Sequence, residues 1–114
     1  MNYKMKIHPK YLELIKKGIK KHEYRLAEPK RRAINIDDII NLSSTTDETD
    51  AAKVKVTKIE IFGNWKEALM LYWQDDFKNM YKDIDSVIKD CEQFYKKEDI
   101  VEYGIVVFAI ELLE

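Results

Sequence analysis

Lys20, Glu23 and Arg25 are the residues of this chain whose types and spacing best suit chemistry on a ligand. They sit in Lys20-Lys21-His22-Glu23-Tyr24-Arg25-Leu26, where His22, Tyr24 and Leu26 alternate with Lys21, Glu23 and Arg25. On a strand such alternation separates two faces, with Glu23 and Arg25 on one face about 7 Å apart at their Cα atoms. Arg offers a planar fork of donors that suits phosphate or carboxylate. Glu accepts from a base amino group or a sugar hydroxyl. The competing reading is a strand with one buried face and one solvated polar face, on which Glu23 and Arg25 merely pair, for about 0–1 kcal/mol. On the ligand reading, Glu23→Ala and Arg25→Ala are expected to weaken binding while leaving thermal stability nearly unchanged.

A second group is cationic. Lys30, Arg31 and Arg32 form a run that joins Lys16, Lys17, Lys20 and Lys21 in one patch if the run folds back beside them. The net charge of −1 conceals an asymmetry: residues 1–32 carry 11 Lys/Arg against 3 Asp/Glu, and residues 33–114 carry 9 against 18. Either the basic third meets an anionic partner or the two parts neutralise each other within the fold. Aromatic residues supply stacking surfaces of the kind that hold single-stranded RNA. Trp65 and Tyr72 read as core, and Trp73 is the better stacking candidate, although packing is the commoner role for it as well.

Other chemistries lack their residues. His8, His22 and Cys91 are the only histidines and cysteine, no metal-ligand spacing joins them, and the acids Asp47, Glu48 and Asp50 read as solvated loop charge. There is no GxGxxG, P-loop or Ser nucleophile elbow, so no metal and no cofactor is expected. A lone cysteine, no secretory-type apolar run in Met1 to Lys6 and no span of about 20 apolar residues point to a cytoplasmic protein without a membrane partner.

The elements that must position these residues follow from pattern. Met5-Lys6-Ile7 reads as a strand, Pro9 opens a helix with Tyr11, Leu12 and Ile15 on its apolar stripe, and Gly18 ends it. Lys21 to Leu26 is a strand ended by Pro29, and Lys30 to Arg32 a basic loop. Asp37-Asp38 turns into a strand within Ile36 to Leu42, and Ser43 to Asp50 reads as a mobile polar loop. Lys53 to Phe62 is a long strand whose alternation slips at Thr57-Lys58, predicting a bulge. Asn64 and Glu67 form a capping box for a helix with Trp65, Ala68, Leu69 and Tyr72 on one face. Asp75 to Lys82 is a polar connection. Asp83 or Asp85 opens a further helix bearing Ile84, Val87, Ile88 and Cys91, and a helical turn follows up to Gly104. Ile105 to Leu113 reads as a strand buried on both faces. Strands on either side of a helical insert give an α+β barrel, and 114 residues suit a single domain, 1–114.

The run Gly18, Lys20, Glu23, Arg25 resembles the signature of the ASCH family, in which a helix ends in Gly and a spaced Lys, Glu and Arg follow on the next strand. Pro29-Lys30-Arg31-Arg32, Asp38-Ile39-Ile40 and Tyr103-Gly104-Ile105-Val106-Val107 resemble later pieces of that signature, with Asp37 where the family commonly has Gly. The resemblance implies a PUA-like small β-barrel with flanking helices. It also implies a cleft that binds RNA or a nucleotide-like small molecule through Lys20, Lys21, Glu23, Arg25, Lys30, Arg31 and Arg32.

Two other functions remain open at this stage. Some relatives resemble amidohydrolases acting on a modified nucleoside, and a ribonuclease role is attributed to others. Lys20 and Glu23 would then be the catalytic pair, although Glu23 stands where the amidohydrolase pattern has a Thr hydroxyl. A protein-interaction module would carry much the same sequence. RNA or nucleotide binding is the expectation, with the hydrolase second; the sequence does not specify the oligomeric state.

Overall fold

In the computed structural model, which describes residues 1–113, five strands and six helices are found among the described residues: β1 (Asn2–Ile7), α1 (Pro9–Lys16), β2 (His22–Leu26), α2 (Pro29–Arg32), β3 (Ile39–Ser44), β4 (Ala51–Phe62), α3 (Trp65–Leu69), α4 (Trp73–Phe77), α5 (Ile84–Cys91), α6 (Lys97–Tyr103) and β5 (Ile105–Leu112). The strands form one sheet in the order β1-β3-β4-β5-β2. Only the β1–β3 pair is parallel. The ladder between β4 and β5 shifts register between Val56 and Lys58, the bulge predicted from the slipped alternation, and it helps the sheet curl into a half-barrel. The architecture is α+β and PUA-like, with helices flanking the curled sheet.

Local chemistry sets most boundaries. His8 caps α1, its Nδ1 accepting from the Lys10 N–H at 3.2 Å, with Pro9 in the first turn. Gly18, at φ +74°, lets the chain leave α1 in the left-handed region and turn into β2. Asp37 takes φ +76°, so the turn before β3 forms without a glycine, and the Asp38 carboxylate accepts from the Asn35 N–H at 2.8 Å and the chain's amino terminus at 3.1 Å. Asn64 accepts from the Glu67 N–H at 2.9 Å, and its side-chain amide donates to the Glu67 carboxylate at 2.9 Å, a side-chain variant of the expected capping box of α3. Asp83 caps α5 by accepting from the Ser86 N–H at 2.9 Å.

β5 is covered on both faces from Ile105 to Phe108, and Phe108 meets the fully buried Leu12, Ile40, Leu42, Val54 and Leu69 in one core. Three expectations change. Ser43 and Ser44 continue β3 rather than opening a loop, because Ser44 pairs with Asp50 across a short turn stapled by Asp47 and Thr49. Lys30 to Arg32 form a short helix, not a loop. The helix at Trp65 stops at Leu69, so Tyr72 leaves its stripe and stacks on His22, ring centroids 3.8 Å apart.

Candidate functional site

β2 lies at one edge of the sheet, next to β5, and alternation along it points Glu23 and Arg25 away from His22 and Tyr24. The strand is not half solvated, contrary to the expectation from its alternation. Lys20 is 3% exposed and Glu23 5%. Helices α3 to α5 and the start of α1 wall in a cavity of about 380 Å³ above this face. Alternation reveals which residues share a face and is silent on whether helices elsewhere in the chain cover it.

Inside the cavity Glu23 is the one acid among several bases. Its Oε1 accepts from Lys20 Nζ at 3.3 Å and from the Tyr24 N–H at 3.2 Å, and its Oε2 accepts from Arg25 Nη2 at 3.2 Å. Burial alone would raise this carboxyl, but the charges of Lys20 and Arg25 prevail and hold it below the usual carboxylate range. Burial likewise disfavours the Arg25 cation, and Glu23 prevails there too, so the guanidinium stays charged. Arg25 Nη2 also donates to the Lys6 carbonyl on β1 at 2.8 Å, and Lys20 donates to the His22 carbonyl. Lys20 lies over the rings of Tyr24 and Phe77, 5.2 and 5.6 Å from their centroids. The triad is therefore a fixed, charge-dense floor. A carboxylate so held is a steady acceptor and a poor proton carrier, which counts against Glu23 as a general base.

The walls are aromatic: Tyr11, Tyr24, Trp65, Phe77, Phe94 and Tyr95 line the cavity, with Arg31 and Thr45 among its polar residues. Trp65 and Tyr95 stack on each other, 6.1 Å between centroids and 17° from parallel. Trp65 packs into the core as expected and lines the cavity as well, whereas Trp73 lines a different, polar depression with Gln74 and Lys78. Cys91 also lines the cavity, and burial pushes its thiol up to about 12, so it stays protonated at neutral pH.

Of the basic candidates, Lys20, Arg25 and Arg31 line this cavity; Lys21, Lys30 and Arg32 do not. One turn of α2 fans three consecutive side chains about 100° apart, so a contiguous run cannot face one way. Arg32 donates to the Ala27 carbonyl at 2.7 Å and the Tyr103 carbonyl at 2.8 Å, tying α2 to the end of α6. Lys30 is solvated beside Glu28, and Lys21 is exposed along another groove with Gly18 and Ile110. Lys16 pairs with Asp50 and Lys17 with Glu13, so the single large patch does not assemble.

Asp76 is the residue sequence reasoning missed. It is 1% exposed and accepts from the Tyr24 hydroxyl, from the Lys21 N–H at 2.8 Å and, through its carboxylate, faces His22 Nδ1 at 3.0 Å. The bond to Asp76 and burial together hold the Tyr24 hydroxyl protonated well above its ordinary range, burial contributing more. Asp76 thereby clamps β2 against α4 and fixes the Tyr24 ring in the cavity wall. In sequence it is one of two adjacent aspartates in a polar run, with nothing to mark it.

Comparison with known proteins places this arrangement. The family model described as the ASCH domain matches residues 5–114. The crystal structure of hypothetical protein PH0355 is 36% identical, with 99% of this chain and 100% of that one aligned at a TM-score of 0.87. The solution structure of protein PF0455 from Pyrococcus furiosus is 33% identical over 100% of this chain and 99% of that one, at 0.76. An ASCH protein from Zymomonas mobilis shares the fold at 13% identity and 0.58, over 95% of this chain and 65% of its own. No curated protein matches the chain. Among the described residues no helix is long and apolar enough to cross a membrane.

Proposed function

Because this chain belongs to the ASCH domain family, we propose that its cavity binds one nucleotide unit, either free or as part of a single RNA strand. The observation that carries the reading is the cavity itself: a floor of Lys20, Glu23 and Arg25 under aromatic walls, in about 380 Å³. That volume lies at the small end of ordinary ligand sites and suits one nucleoside rather than several. Aromatic walls take the flat face of a base, whatever its identity. The remaining acceptor capacity of Glu23 suits a base amino group or a ribose hydroxyl. Lys20, Arg25 and Arg31 outnumber the one acid, so an anionic ligand is favoured, with Arg31 meeting phosphate. Lys30 and Lys21, both exposed, add long-range attraction for a strand.

A fluorescence-anisotropy titration tests this, with short single-stranded RNA as the probe and nucleoside monophosphates as competitors, at low and moderate salt. Saturable binding is expected, weakened by salt and reduced about tenfold or more in Arg31→Gln, the loss of one charge-assisted contact. Arg31 is preferred to Arg25 for this purpose because it sits outside the buried triad. If neither RNA nor any nucleoside monophosphate binds, the reading is overturned.

A further inference from the structure

Trp65 and Tyr95 line the nucleotide cavity on one side and a second cavity of about 300 Å³ on the other, bounded by α3, α5 and α6. The stacked pair is thus a wall common to both spaces. The second cavity has apolar walls from Ile88, Ile100 and Val101, the last 78% exposed. At its rim are Lys66 and Lys97, neither of which has an acidic partner within 4 Å among the described residues. Trp65 is 4% exposed, and its indole Nε1, a donor only, has no hydrogen-bond partner. Such a donor is rare in a finished core; it lies in the plane of the ring, so an acceptor at the ring's edge, not a base stacked on its face, would complete it.

We propose that the groove between α3, α5 and α6 is a second nucleotide subsite, which takes the base adjacent to the one in the first cavity, so that a single RNA strand crosses the Trp65–Tyr95 partition. This rests on the nucleotide reading of the first cavity. Two features select a nucleic-acid strand as the occupant: the groove shares Trp65 and Tyr95 with that cavity, and its two lysines outnumber its one acid, Glu92, which suits the phosphate that follows each base. One aromatic platform can accept a base on each of its faces, which is how successive bases are held without sequence preference. An apolar peptide would use the walls and leave Lys66 and Lys97 without a partner.

The test compares a nucleoside monophosphate with the corresponding dinucleotide and trinucleotide by isothermal titration calorimetry. It uses the parent protein, the double variant Lys66→Glu/Lys97→Glu and Val101→Glu; all three changed residues lie outside the first cavity and are solvent-facing. The dinucleotide is expected to bind the parent roughly five- to a hundredfold more tightly than the mononucleotide, the range of one added stack. Both variants should lose most of that gain while binding the mononucleotide as the parent does, and the double variant should show a shallower salt dependence for the dinucleotide, by about one in slope. A mononucleotide that binds, with no gain on lengthening or a gain the variants leave intact, overturns the second subsite and spares the first. No binding of any of the three ligands overturns the nucleotide reading, and the second subsite with it.

Discussion

Glu23 touches a cation on each side, and removing it leaves Lys20 and Arg25 buried together with no opposite charge between them. Breaking a buried ionic cluster in this way costs about 3–5 kcal/mol. Glu23→Ala should therefore unfold at markedly lower urea concentration than the parent, contrary to the near-neutral effect that a solvated strand face implies. The pH dependence has a definite sign. The carboxyl titrates below its ordinary value of about 4.5 in the fold and near that value in the unfolded chain, so its charged form contributes stability above about pH 4.5. That contribution disappears as pH falls through the lower, folded value. Urea melts across the acid range should show a steep loss for the parent and a flatter one for Glu23→Gln; parallel curves would mean that Glu23 is not the charged centre of the triad. The types and shared face of Glu23 and Arg25 were legible in the sequence because strand alternation is a local property. Their burial was not, since it depends on residues from Tyr11 to Tyr95 closing over them, and Asp76 was illegible for the same reason.

At the scale of elements, caps and breakers were the most readable features. The Asn64–Glu67 box, the Asp83 cap, the bulge beside Thr57 and the stops at Gly18 and Gly104 all act within a few residues, where spacing alone carries the information. What failed to read were short elements made by tertiary contact: α2, the break between α3 and α4, and the extension of β3 through Ser44. The two glycines at helix ends differ in a way sequence does not reveal. Both have positive φ, but a Cβ on Gly18 would meet nothing within 4 Å, whereas one on Gly104 would lie 2.5 Å from the Phe62 carbonyl oxygen. Gly18→Ala should cost about 1 kcal/mol, the backbone penalty alone. Gly104→Ala should cost clearly more, because α6 cannot hand over to β5 without moving the end of β4. Equal shifts in denaturation midpoint for the two variants would contradict this.

For the whole molecule, the charge asymmetry between the first third and the rest resolves in both of the ways the sequence left open. Lys6 pairs with Glu48, Lys10 with Asp90 and Lys16 with Asp50, so part of the N-terminal charge is met by acids from later in the chain. Of the remainder, Lys20, Arg25 and Arg31 reach one cavity, where Glu23 pairs with the first two and Glu28 lies 3.7 Å from the third. Composition revealed the excess, and only the folded sheet reveals which cations pair with acids from later in the chain and which line the cavity.

The order of the strands in the sheet has a consequence in time. β2, which carries Glu23 and Arg25, has β5 as its sole ladder partner among the described residues, and β5 also pairs with β4. A chain leaving the ribosome makes Glu23 early and must wait for about 80 further residues before the strand that fixes it exists. Contacts so distant along the chain place folding among the slower small domains, on the order of milliseconds to seconds. A chain cut after Tyr103 should accordingly lack protease-resistant structure, with the cavity lost together with the sheet, and a limited-digestion comparison with the full chain would show it. During synthesis the cavity comes into being last, and all at once.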